Sequence, residues 1–188
     1  MDNKTIIFSA PSGSGKTTIV HHLLKVFPQL EFSVSATNRS PRKNEVHEKD
    51  YYFLSTEEFK EKISNDEFVE WEEVYNNRFY GTLYSELERI WKKRNIVVFD
   101  VDVAGGIHLK NKFGNNALSI FVKIPDLNIL ETRLKKRGTD DEREIHTRIQ
   151  KAKKELEYAF MFDRVLINDR LNKVLDEAED MVSSFINN

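Results

Sequence analysis

One short stretch limits this chain more than any other: Ala10-Pro11-Ser12-Gly13-Ser14-Gly15-Lys16-Thr17, with Thr18 after it. It follows an apolar, β-favouring run, Thr5-Ile6-Ile7-Phe8, and precedes Ile19, Val20, Leu23 and Leu24, which are spaced as one face of a helix. Strand, small-residue loop and helix in that order are the context of a P-loop. The small residues let successive backbone N–H groups turn inward around phosphate oxygens, and the helix start adds the positive end of its dipole. Lys16 supplies a full charge to the β- and γ-phosphates, and Thr17 offers a hydroxyl to Mg²⁺. The strict pattern has glycine where Ala10 stands, so the Gly-Lys-Thr ending and the flanking elements carry the assignment. The loop predicts a magnesium–nucleotide site.

Further apolar runs recur at Phe32-Ser33-Val34, Ile96-Val97-Val98-Phe99, Leu118 to Val122 and Val165-Leu166-Ile167. Between most of them lie helical stripes: Ile129, Leu130 and Leu134; Ile145, Ile149, Ala152, Leu156 and Ala159; and Leu171 through Ile186. Short buried strands alternating with amphipathic helices predict an α/β fold, a parallel sheet with helices on both faces. The stretch from Ala36 to Lys93 has another pattern. Tyr51-Tyr52-Phe53-Leu54 is predicted as a strand, and Ser55 with Glu58 forms a capping box opening a helix with Phe59 and Ile63. Phe68 to Glu72 alternates as a half-exposed strand, Asn76-Asn77 marks a turn, and Leu83, Leu87, Ile90 and Trp91 share a helix face. An inserted α+β subdomain is expected there.

Composition narrows the role. A chain of 188 residues, 39% hydrophobic and 32% charged, suits one domain with a real core. No apolar run is long enough to span a bilayer, and Met1-Asp2-Asn3-Lys4 begins no signal-like segment. A cytoplasmic protein without a membrane partner is expected. The absence of cysteine excludes disulfides and thiolate metal sites. A net charge of -2 argues against nucleic-acid binding, which wants a strongly basic face. It leaves room for a small anion gripped by a few local arginines.

Such arginines stand in Thr37-Asn38-Arg39-Ser40-Pro41-Arg42, two planar forks on a proline-stiffened stretch that suit a terminal phosphate monoester. Tyr51, Tyr80 and Thr82 could add hydroxyl donors, and Glu70, between Val69 and Trp71, is a candidate carboxylate for a ligand. Asp100 ends the run Ile96 to Phe99, where a carboxylate is costly unless it faces a cation or water. Mg²⁺ held through water suits it, with Asp102 two residues on. The basic stretch Arg133 to Lys154, with Lys135, Lys136, Lys151, Lys153 and Lys154, is expected to be mainly a solvated helix face.

Taken together, Ser-Ala-Pro-Ser-Gly-Ser-Gly-Lys-Thr, Ser-Val-Ser-Ala-Thr-Asn-Arg-Ser-Pro-Arg, Lys-Asp-Tyr, Phe-Val-Glu-Trp, Phe-Tyr-Gly-Thr, Asp-Val-Asp and Arg-Gly-Thr resemble guanylate kinase, in family order over nearly the whole chain. The resemblance implies a P-loop NTPase core over 1–35, 94–136 and 151–188, a GMP-binding insertion over 36–93 and a short helical lid over 137–150. It implies Mg-dependent transfer of the γ-phosphoryl group of ATP to GMP, and to dGMP as well. It assigns Arg39, Arg42, Tyr51 and Tyr80 to the GMP phosphate; Ser35, Glu70, Thr82 and Asp102 to guanine; and Arg137 and Arg148 to the ATP phosphates. The substrates are the implied partners, the protein being a monomer or homodimer. Three positions depart from the family pattern: Glu48 replaces Gly in a turn, Asn38 a hydroxyl residue, and Ala104 a Gln. Two other readings compete, a non-catalytic module that binds a protein and a kinase acting on a ribose bisphosphate. The intact Lys16, Thr17 and Asp100 weigh against the first, and Glu70 with Asp102 against the second.

Overall fold

The structure is a computed structural model that describes residues 3–137 and 141–187, with backbone alone for Tyr75 and Arg137. In chain order it begins with strand β1 (Thr5–Ser9), helix α1 (Lys16–Val26) and strands β2 (Leu30–Phe32), β3 (Ala36–Thr37) and β4 (Tyr52–Phe53). Helix α2 (Thr56–Ser64), strands β5 (Phe68–Tyr75) and β6 (Arg78–Leu83), and helix α3 (Tyr84–Lys92) follow. The rest is β7 (Ile96–Val101), α4 (Val103–Phe113), β8 (Ala117–Lys123), α5 (Leu127–Arg137), α6 (Glu142–Leu156), β9 (Arg164–Ile167) and α7 (Leu171–Asn187).

Five strands form one sheet in the order β2-β7-β1-β8-β9, every pairing parallel. Alternation along β1 explains the two covered faces. Ile6 and Phe8 pack with Ile19, Val20 and Leu23 of α1 and Val174, Ala178 and Val182 of α7. Ile7 points the other way, among Leu87 and Ile90 of α3 and Leu109 of α4. A strand buried on both sides needs an unbroken apolar run, which is what the sequence shows. The expected strand at Phe32-Ser33-Val34 is shifted, because β2 covers Leu30–Phe32. The cause is Val34, whose N–H leaves the ladder and donates to Glu86 Oε1 at 2.9 Å.

The second sheet has the order β4-β3-β6-β5. Its core is aromatic, Phe59 of α2 stacking on Phe68 at 4.4 Å and on Phe79 at 5.5 Å between ring centroids. The capping box holds α2 in place: Glu58 N donates to Ser55 Oγ at 3.1 Å, and Ser55 N donates to Glu58 Oε2 at 2.6 Å. The strand expected over Tyr51–Leu54 is shorter, only Tyr52 and Phe53 pairing with Ala36 and Thr37. Beyond the core sheet, Leu130 and Leu134 of α5 pack with Ile145 and Ala152 of α6. Ala159, expected on the α6 stripe, lies instead in a 3₁₀ turn, Ala159–Met161.

Two features of this frame set up the site. Parallel register puts Phe8 beside Asp100 and Ser9 beside Val101, so the loop after β1 and the acids at the end of β7 are neighbours. Helix α4 then starts hard against β1: a Cβ on Gly106 would come within 2.8 Å of Ser9 Cβ. Ser9 Oγ donates to Asp102 O at 2.7 Å, which ties the two strand ends together.

Candidate active site

The loop from Ala10 to Thr17 lines a cleft of about 790 Å³. Gly13 and Gly15 both have φ of 89°, a left-handed backbone that suits glycine. Space demands glycine as well, since a Cβ at Gly13 would lie 2.8 Å from Leu130 Cδ1 and one at Gly15 2.4 Å from Asn168 Nδ2. Gly15 is the N-cap of α1, and no side chain caps the helix, which leaves its first amide groups to a ligand. The Ser14 carbonyl is held from outside, accepting from Asn168 Nδ2 at 2.7 Å and from Arg133 Nη1 at 3.0 Å. Thr18 lies in the first turn of α1.

Lys16 Nζ pairs with Asp100 Oδ1 and donates to Val101 O at 2.8 Å. Thr17 Oγ1 donates to the other Asp100 oxygen at 3.0 Å. One carboxylate and one hydroxyl side by side, both facing the cleft, match the thin protein contribution that Mg²⁺ takes when phosphates and water supply its other ligands. Among the described residues no group of three or more acidic or histidine side chains could hold a metal alone.

The second sheet brings its own residues to the same cleft: Ser35, Arg39, Arg42, Tyr51, Glu70 and Tyr80, joined by Asp102 from the core. Thr82 is buried beneath, donating to Glu70 Oε1 at 2.8 Å. Glu70 is 8% exposed. Burial pushes it up to about 7, reinforced by the Asp102 charge and opposed by the Thr82 bond. Gly105 keeps the space open above it, since a Cβ there would stand 3.3 Å from Glu70 Oε2. Arg39 lies over the Tyr51 ring, 4.9 Å from its centroid, and its fork is engaged by Glu45 at 2.6 and 2.7 Å. That bond, chiefly, holds Glu45 down at about 2.

From α6, Arg148 Nη1 donates to Ser12 Oγ of the loop at 3.0 Å. The Arg137 side chain and residues 138–140 of the expected lid lie outside the described residues. Lys151 is exposed, as expected of a solvated face, and it also lines the cleft, 3.7 Å from Asp102 Oδ2 and 3.5 Å from Glu155 Oε1. Its stem follows the helix one turn beyond Arg148, so the same face turns inward at both positions.

Glu45, Glu72, Arg133, Asn168 and Glu155 were not singled out in the sequence. Glu72 had a readable signal, standing two residues after Glu70 on the same side of a strand. Burial raises its pKa, with further upward contributions from a hydrogen bond and the charge of Asp102. Asn168 follows the apolar run Val165–Ile167 as a polar strand-end residue, the position that Asp100 holds on β7. Arg133 had no local mark among the surrounding lysines and arginines. Of the three departures, Glu48 does adopt a positive φ of 65°. Asn38 links the insertion's loops, donating to Thr56 Oγ1 and Asn77 O and accepting from Phe79 N, all within 2.9 Å. Ala104 is exposed on the first turn of α4.

Comparison with known proteins agrees with this geometry. The family model described as guanylate kinase matches residues 2–185. A guanylate kinase of Bacteroides thetaiotaomicron is 49% identical over 187 residues, 100% of this chain and 92% of the relative. One from Porphyromonas gingivalis is 47% identical, over 97% of this chain and 98% of its own length. Among solved structures, the guanylate kinase from Anaplasma phagocytophilum superimposes with a TM-score of 0.76 at 26% identity, over 97% of this chain and 85% of that one. A parallel sheet carrying a P-loop, a second sheet with a buried glutamate and a match across nearly the whole length have one reading: the chain belongs to the guanylate kinase family.

Proposed function

We propose that this chain transfers the γ-phosphoryl group of Mg-ATP to GMP, giving ADP and GDP, with the loop side of the cleft holding the donor and the second sheet the acceptor. The observation that carries the reading is Glu70, a buried carboxyl bonded to Thr82 and facing the cleft that also holds Lys16. Guanine presents N1–H and an amine side by side, two donors that an ionised carboxylate accepts in a fork. Adenine presents a lone pair at N1 and lacks the 2-amino group, so it would lose both bonds. Sites built on buried polar contacts reject such analogues by about 10⁴–10⁵. Ser35 and Asp102 complete the base end in this assignment. Neither the protein-binding module nor the ribose bisphosphate kinase is favoured, given full-length relatives named guanylate kinase.

Arg39, Arg42, Tyr51 and Tyr80 would bind the GMP phosphate and aim one of its oxygens at the γ-phosphorus. Glu45 already holds the Arg39 fork in one plane. The loop amides from Ala10 to Thr18 would bind the ATP phosphates. Lys16, with Arg148 and Arg137, would offset the negative charge on the transferring group. Thr17 and Asp100 would hold Mg²⁺, Asp100 through water, and bound Mg²⁺ supplies further charge neutralisation at the β- and γ-phosphates. No general base is required, because the attacking phosphate oxygen is already anionic near neutral pH. Alignment and charge are the protein's contributions. Residues 36–93 would serve as the acceptor-binding unit and 137–150 as a lid, whose residues 142–150 belong to α6.

Coupled measurement of ADP formation from Mg-ATP tests the reading across GMP, dGMP, AMP, CMP, UMP and a ribose bisphosphate. GMP is expected to be the best acceptor by several orders of magnitude, with dGMP second. Comparable rates with AMP or with the ribose bisphosphate would overturn it.

A further inference from the structure

Helix α6 touches both halves of the cleft with one face. Arg148 reaches Ser12 in the donor loop, and Lys151, three residues on, stands 3.7 Å from Asp102 Oδ2. Positions three apart on a helix lie on the same side, so a single rigid element reaches both places. Asp102 is a junction in its own right. Its Oδ1 accepts from Gly105 N at 2.9 Å and caps α4, and its backbone carbonyl accepts from Ser9 beside the loop. From the acceptor sheet, the Glu72 carboxyl comes within hydrogen-bonding reach of Asp102, its Oε2 buried and without a donor. Core, acceptor sheet and α6 therefore meet at one carboxylate.

The charges fit that meeting. Asp102, Glu72 and Glu155 converge in a cleft meant for anionic nucleotides, and Lys151 is the cation set between Asp102 and Glu155. Glu155 is 12% exposed at its side chain and meets the Lys151 ammonium from the α6 side. Were α6 to swing away from the loop, Lys151 would leave Asp102, and three carboxyl groups would face each other with less compensation.

We propose that Lys151 is a positioning residue that couples the donor and acceptor halves, holding α6 against Asp102 so that a nucleotide seated at the loop strengthens binding of the acceptor. The inference rests on the reading of the cleft as an ATP–GMP site. Donor phosphates would fix Arg148 and thereby α6; Lys151 would carry that order to Asp102, and Asp102 to the base end beside Glu70. Reciprocity requires that GMP tighten the donor by the same factor.

Titration calorimetry of GMP, with and without saturating Mg-adenylyl imidodiphosphate, tests this on the wild type, Lys151→Met, Lys151→Gln and Lys151→Arg. The wild type is expected to bind GMP about tenfold more tightly with the analogue present, within the usual range for coupled sites. Lys151→Met and Lys151→Gln are expected to reduce that factor to below about twofold, with little change in GMP affinity measured alone. Lys151→Arg is expected to restore most of it. No coupling in the wild type, an undiminished factor in Met and Gln variants, or equal weakening with and without the analogue would each overturn the proposal. Wild-type turnover with GMP, measured in parallel, separates the two ideas: absent turnover sinks the functional reading, while turnover with unchanged coupling sinks only this one.

Discussion

In the proposed site Glu70 links protonation to recognition through a single side chain. Burial raises it to about 7, so near neutral pH it divides between acid and carboxylate. The unfolded chain holds that proton only below the ordinary value of 4.5, so between 4.5 and about 7 the folded state binds more protons. This group's contribution to stability therefore falls as pH rises through that window. On the proposed reading GMP binding goes the other way, since its two donors require the ionised form. Below pH 7 binding must expel a proton, and affinity is expected to fall toward about tenfold per pH unit. Calorimetry in buffers of different ionisation enthalpy would show the released proton, and Glu70→Gln should abolish the dependence while weakening GMP. Glu48 tests strain alone. It sits at a φ of 65° in an exposed turn, and its N–H donates to Tyr51 O at 2.9 Å. Glu48→Gly is expected to raise stability by up to about 1 kcal/mol, read as a higher midpoint in urea with an unchanged slope.

At the scale of elements, the loop between β3 and β4 carries the arginines proposed for the acceptor, and Glu45 and two aromatic rings hold Arg39 there. Arg39→Ala is expected to weaken GMP by about 1.5–3 kcal/mol and leave the ATP analogue unaffected, measured by titration of each ligand separately. Equal losses for both would contradict the division between donor loop and acceptor sheet. Much of this level was legible in the sequence, because local rules govern it. The runs of β1, β7, β8 and β9 are apolar over their centres, and the Ser55–Glu58 box marks α2 directly. The shifted β2 escaped notice because the cause is remote, the Val34 N–H being claimed by Glu86, fifty-two positions away. The place of Lys151 beside Asp102 was illegible for a related reason: helical spacing groups it with the other solvated lysines, and only folding brings Asp102 within its reach. Glu72, Arg133 and Asn168 likewise gain meaning from partners distant in sequence.

Across the whole molecule, the insertion is spliced into one parallel crossover, leaving the core after β2 and returning through α3 to β7. Its outgoing and returning segments are joined at Glu86, which is buried in α3. One carboxylate accepts from Val34 N and Tyr52 OH, each at 2.9 Å, and from Arg89 at 2.8 Å through two nitrogens. Burial alone would raise Glu86, but these donors outweigh it and hold the group below the ordinary carboxylate range. Its stabilisation is thus present above the unfolded value and is lost as pH falls through the folded one. Glu86→Ala is expected to cost about 1–3 kcal/mol, since it leaves the Val34 N–H and the Tyr52 hydroxyl without their acceptor while Arg89 keeps Glu31, and a lowered chemical-denaturation midpoint would register it.

The same carboxylate has a mechanical meaning. Two ropes running side by side slip past each other, whereas ropes clipped together at one point share any pull. With Val34, Tyr52 and Arg89 all fastened to Glu86, a tug on the outgoing connection is felt at once by the returning one.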